Sequence, residues 1–81
     1  MSDVHDDLKT ALKLLDLRLV DFAASLRRPD GSTGVSHTAV IRVAKEQDET
    51  AWIRSEIMTV IRKARRLFPE YYKYHETITK P

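Results

Sequence analysis

Val4, Leu8, Ala11, Leu12 and Leu15 recur at the spacing of one helix face, with polar residues filling the positions between them. Ser2 and Asp3 precede them as candidate N-caps. Asp3, Asp6 and Asp7 lie in the first turns, where the positive end of the helix dipole favours carboxylates. The pattern predicts a first helix over roughly Val4 to Leu15. Asp16 interrupts it and is positioned to cap a second helix, whose apolar face is Leu19, Phe22, Ala23 and Leu26, with Arg18, Asp21 and Ser25 turned away. Pro29 disfavours helical backbone at Arg28, so this helix ends there.

Arg27 to Gly34 reads as a loop, with Asp30-Gly31 as its turn signal. A hairpin would need alternating apolar runs on both sides of Asp30-Gly31; none exists, so no strands are expected. Ser36 is a good N-cap for a third helix, with Val40, Val43 and Ala44 as its buried stripe. The polar run Lys45 to Glu49 breaks the apolar pattern. Thr50 can then cap a last helix running through Phe68 and stopped by Pro69. Its apolar face is Ile53, Ile57, Val60, Ile61, Ala64 and Leu67, with Trp52 also expected in the core. Tyr71, Tyr72 and Tyr74, with Phe68, are expected to close the core or a dimer interface. The resulting fold class is all-α, a compact four- to five-helix bundle formed as a single domain over residues 1–81, with a C-terminal tail from about residue 70 to 81.

Composition agrees with a small packed globule. The 81 residues are 42% hydrophobic and 32% charged, and there is no cysteine to form disulfides or thiolate metal sites. No apolar stretch approaches the roughly 18 residues needed to span a bilayer. The acidic N-terminal segment lacks the basic-then-apolar order of a signal peptide, so a cytoplasmic location is expected. His5 with Asp3, Asp6 and Asp7 is better explained as an acidic helix start than as a metal site. The sequence offers no cysteine nucleophile, no paired carboxylates in an apolar setting and no phosphate-cradling glycine loop. Neither an enzymatic activity nor a small-molecule cofactor is expected.

Charge changes the picture through its distribution. Residues 1–26 carry three basic and five acidic side chains, while residues 27–66 carry nine basic and five acidic. Positive charge begins at the loop and runs to Arg66, which favours a polyanionic partner for that half.

The segment "SLRRPDGSTGVSHTAV" joins the second and third helices. A helix-turn-helix needs a small residue where its helices cross, a glycine where the backbone turns, and apolar residues on the inward faces. Ala23, Gly34, Val35, Val40 and Val43 meet those demands. Ser36, His37, Thr38, Ile41, Arg42 and Lys45 then face outward, and five of these six can hydrogen-bond to bases or phosphates. Arg42 is the leading base-contact candidate; the competing reading is a surface ion pair with Glu46 one turn on. Arg27 and Arg28 are candidates for the DNA backbone. Arg62, Lys63, Arg65 and Arg66 form a basic run near a helix C-terminus, where complementing the dipole is the favoured reading.

"FAASL" followed by "GVSHTAVIRVAK" resembles the core of the lambda repressor/Cro-type helix-turn-helix DNA-binding domains. The short Ner-like phage regulators are nearest in pattern, because "TAWIRSEIMTVIRKARRLFPEYY" is also similar to their closing segment. The likeness runs roughly from Leu8 to Tyr72. It implies that Phe22 to Leu26 lie in a positioning helix and that Val35 to Lys45 lie in a recognition helix. Three departures from the family pattern are visible: the seven residues Arg27 to Thr33 between the helices, Arg18 where a capping Ser or Thr is common, and Leu19 where a polar residue often bonds a phosphate. The resemblance implies a transcriptional regulator, a phage or mobile-element repressor inserting helix 36–46 into the major groove of double-stranded DNA as a homodimer. The alternatives are a small helical protein–protein adaptor and a DNA-binding accessory protein for recombination or packaging.

Overall fold

The computed structural model describes residues 4–73. Ser2, Asp3 and Tyr74 lie outside the described residues. The chain is all-helical, in the order α1 (Val4–Leu14), α2 (Leu19–Ser25), α3 (His37–Ala44) and α4 (Ala51–Leu67), followed by a short helical turn over 69–73. No helix among the described residues is long and apolar enough to cross a membrane.

The longest helix organises the rest. Ile53, Ile57, Val60, Ile61 and Ala64 lie on one stripe of α4 and are buried. Against them pack Leu8, Ala11 and Leu12 of α1 and Val40, Val43 and Ala44 of α3, while Phe22, Ala23 and Leu26 close the same cluster. The α1–α4 pairing is the most extensive, and α3 bridges it to α2. No polar or charged residue is buried in this core. Leu67, expected to continue the stripe, is instead 52% exposed: it is the last residue of α4, where no other element covers it. Trp52 is half-buried at the edge of the core rather than within it.

Two helix ends share one device. After α1, Asp16 takes a left-handed conformation (φ 55°); its amide donates to the Lys13 carbonyl, and the Leu17 amide reaches back to Leu12. After α3, Glu46 does the same (φ 61°), with its amide on Val43 and the Gln47 amide on Arg42. Both are Schellman-type endings, which usually place glycine at this position because a Cβ is unfavourable there. Asp16 therefore terminates α1 but does not cap α2. That N-cap is Arg18, which makes no capping bond and instead pairs with Asp21 at 3.0 Å. The bond to Asp21, and then its charge, raise the Arg18 pKa. Because the left-handed cost falls on a non-glycine residue, Glu46→Gly is expected to stabilise the fold by roughly 0.5–1 kcal/mol, measured by urea unfolding. Its exposed pair with Arg54, at 3.7 Å, offsets little of this.

Thr50 is the N-cap residue of α4 but supplies no capping side-chain bond. Asp48 orders the turn instead, accepting from both the amide and the hydroxyl of Thr50 at 3.1 and 2.8 Å.

At the other end of α4, Tyr72 folds back onto the core. The Arg65 guanidinium lies 4.8 Å above its ring, and Tyr71 meets it edge-on at 5.4 Å. Of the expected aromatic closure, Tyr72 is half-buried, whereas Phe68 and Tyr71 are exposed. The Tyr72 hydroxyl is buried and has no hydrogen-bond partner among the described residues. Burial raises its pKa, opposed by Arg65 and assisted by Asp7 and Tyr71. A phenol whose pKa is raised by folding contributes stability below its ordinary value near 10, and that contribution is lost as pH climbs through the folded value. Tyr72→Phe removes an unsatisfied group while keeping the ring. It is expected to keep or raise the melting midpoint at neutral pH, by up to about 5 °C, and to weaken the alkaline loss. A thermal melt followed by circular dichroism at neutral and alkaline pH checks both.

Candidate nucleic-acid interface

Two short helices and the loop between them build the site. The Val35 amide donates to the Ala23 carbonyl at 3.0 Å, and the Gly34 amide to the Leu26 carbonyl at 2.7 Å. These bonds tie the entry to α3 directly onto the end of α2. Ala23 is 1% exposed, so α2 and α3 meet over a methyl group that leaves room for close approach. Gly34 has φ +94°, and a Cβ built there would stand 3.4 Å from the Ala24 carbonyl oxygen. Gly34→Ala therefore meets strain more than overlap, and is expected to cost about 1–2 kcal/mol in a denaturant titration.

The loop is more ordered than a simple bulge. Arg27 and Thr33 form an isolated antiparallel bridge, and the Arg28 amide donates to the Ser32 carbonyl at 2.7 Å. The expectation of no strands holds among the described residues, but the loop does contain this single hairpin-like pairing. It arises from local turn chemistry rather than from apolar alternation. Asp30 accepts from the Ser32 hydroxyl at 2.6 Å and from the Ser32 amide at 3.0 Å. Those two bonds, the hydroxyl first, hold the Asp30 carboxyl below the usual carboxylate range. Their support for the loop is present above that range and lost as pH falls through the folded value.

The third helix is shorter than the expected 36–46. Ser36 stands outside it as the N-cap, accepting from the Ala39 amide at 3.2 Å, and Lys45 is its C-cap, after which Glu46 turns the chain. Val40, Val43 and Ala44 point into the core at 2% exposure or less. Ser36, His37, Thr38, Arg42 and Lys45 are all exposed on the other side; Ile41 is half-buried among them. The backbone amides of His37 and Thr38 open the helix and have no intrahelical acceptor, so they add donors at its positive end. No acidic residue lies within α3. The alternative role for Arg42 is not realised: Glu46 pairs with Arg54 of α4 instead, and no ion pair engages Arg42 among the described residues.

Arg27 and Arg28 are exposed and stand apart in sequence from this face. Together with Pro29 they line a shallow hollow of about 350 Å³ against Trp52, Ser55 and Glu56 of α4. Ser55 and the hollow carry no signal in the sequence, because their association depends on how the loop folds over α4. No group of three or more metal-ligating side chains gathers among the described residues.

No protein-family model, no curated protein and no solved structure matches this chain. The arrangement of α2, the loop and α3 is thus the basis on which its chemistry is to be judged.

Chemically, the α3 face offers hydroxyl, imidazole, guanidinium and ammonium groups on one rigid element. Its width is that of a single helix, which the major groove of duplex DNA admits. Its exposed residues are polar or charged, with Ile41 half-buried among them.

Proposed function

We propose that this protein binds double-stranded DNA sequence-specifically through a helix-turn-helix formed by α2 and α3. It acts as a transcriptional regulator of phage or mobile-element type, repressing by occupying its operator. The carrying observation is the outward face of α3, which presents Ser36, His37, Thr38, Arg42 and Lys45 to solvent while Val40, Val43 and Ala44 anchor the helix from behind. Arg42 is the base-reading residue, since a guanidinium matches the two acceptors of guanine in the major groove. Ser36, His37 and Thr38 meet base edges or phosphate at the N-terminal end, Ile41 supplies an apolar contact, and Lys45 neutralises the backbone. Further support comes from the Val35–Ala23 bond, which sets α3 rigidly on α2. A homodimer would read two half-sites about 34–36 Å apart.

Titrating a labelled duplex with the protein over a range of salt concentrations tests the reading. Affinity is expected to fall steeply as salt rises, because phosphate neutralisation releases counterions. Absence of duplex binding at low salt would overturn it and favour the adaptor alternative.

A further inference from the structure

We propose that the outer face of α4 is a second nucleic-acid-binding surface, in which Arg62, Lys63 and Arg66 hold a phosphate backbone and Thr59 lines the hollow between them. These four residues line one hollow of about 360 Å³. They recur at helical spacing on the side of α4 opposite the buried stripe of Ile53, Ile57, Val60, Ile61 and Ala64. No carboxylate lines the hollow, and no ion pair engages its three cations among the described residues.

The helix dipole does not account for the cluster. Its influence is confined to the last turn, which holds Arg65 and Arg66, whereas Arg62 and Lys63 lie before it. The neighbouring cation Arg65 is used differently, over the Tyr72 ring. The Thr59 hydroxyl donates to the Ser55 carbonyl at 2.9 Å, and Ser55 lines the hollow beneath Arg27 and Arg28. Basic and hydroxyl side chains therefore extend along about 16 Å of helix from Ser55 to Arg66, and the ordered loop continues them at one end. Glu56 also lines the loop hollow, which keeps that end less positive than the Arg62–Arg66 end. A phosphate backbone fits the hollow better than a protein, because three cations and no carboxylate line it, and the exposed apolar residues Met58 and Leu67 flank it singly without forming a patch.

This surface shares no residue with the α3 face, and the two can be tested separately. The full chain carrying Arg62→Gln, Lys63→Gln and Arg66→Gln is titrated with a random-sequence duplex across salt concentrations, its fold checked by thermal melting. The slope of log affinity against log salt is expected to shrink by about three, roughly one per lost phosphate contact. The variant carrying Arg62→Lys and Arg66→Lys is expected to keep the wild-type slope. If the triple variant does not fold, Arg62→Gln alone is expected to lower the slope by about one. An unchanged slope in the folded variant overturns the proposal, as does tighter binding to poly-glutamate than to duplex, which would mark an acidic protein as the partner. Unchanged sequence preference in an Arg42 variant, with the α4 effect intact, would defeat the α3 reading alone.

Discussion

Replacing Ile57 with alanine is expected to destabilise the fold by about 2–5 kcal/mol, the range for emptying a buried branched aliphatic site. Ile57 is 0% exposed, in the middle of α4, at the centre of the stripe against which α1 and α3 pack. A domain of 81 residues has only about 4–12 kcal/mol of total stability, so this one substitution removes a large part of it. The half-buried Trp52 gives a fluorescence signal for urea unfolding. The midpoint is expected to fall by roughly 2 M or more at an m-value near 1 kcal/mol/M. Met58→Ala, one position along and 37% exposed, is expected to cost well under half as much. Equal losses at the two positions would mean that the stripe does not carry the packing.

That stripe was also the most legible part of the chain. Its spacing predicts α4 almost to the residue, because a long amphipathic helix repeats its signal over several turns. Leu67 fits the same spacing and yet is exposed, since periodicity describes a helix and not what covers it. The breaks after α1 and α3 were visible as interruptions at Asp16 and in the Lys45–Glu49 run. Their mechanism was not, because an acidic residue in a left-handed helix ending looks like any polar break. The Arg27–Thr33 bridge is illegible for a related reason: it accompanies the Asp30–Ser32 bonds of the turn, whereas strands are signalled by apolar alternation.

Arg42→Ala is expected to cost about 1–3 kcal/mol of affinity on a preferred duplex and much less on random sequence. Arg42 is exposed on α3, free of the Glu46 pairing that its spacing suggested, and one turn C-terminal of the exposed Thr38. Removing a base-reading guanidinium removes discrimination, whereas removing a phosphate contact weakens all sequences alike. Its exposure also means that folding stability should change by less than about 0.5 kcal/mol, so a melt of the same variant separates binding from folding. The outward residues of α3 were legible because the inward ones were: once Val40, Val43 and Ala44 are assigned to the core, the opposite face follows from helical geometry. The α4 surface was less so. Its basic residues were visible as a run, but their common hollow with Thr59, and the closeness of Ser55 to the loop arginines, depend on folding.

The most direct test of the α3 interface is selection of duplexes from a randomised pool by the wild-type protein, repeated with Arg42→Ala. The wild type is expected to enrich an inverted repeat with half-sites about one helical turn apart, and the variant to lose preference at one position in each half. A pool that enriches no sequence, or the same sequence enriched equally by the variant, would contradict recognition of DNA by this helix.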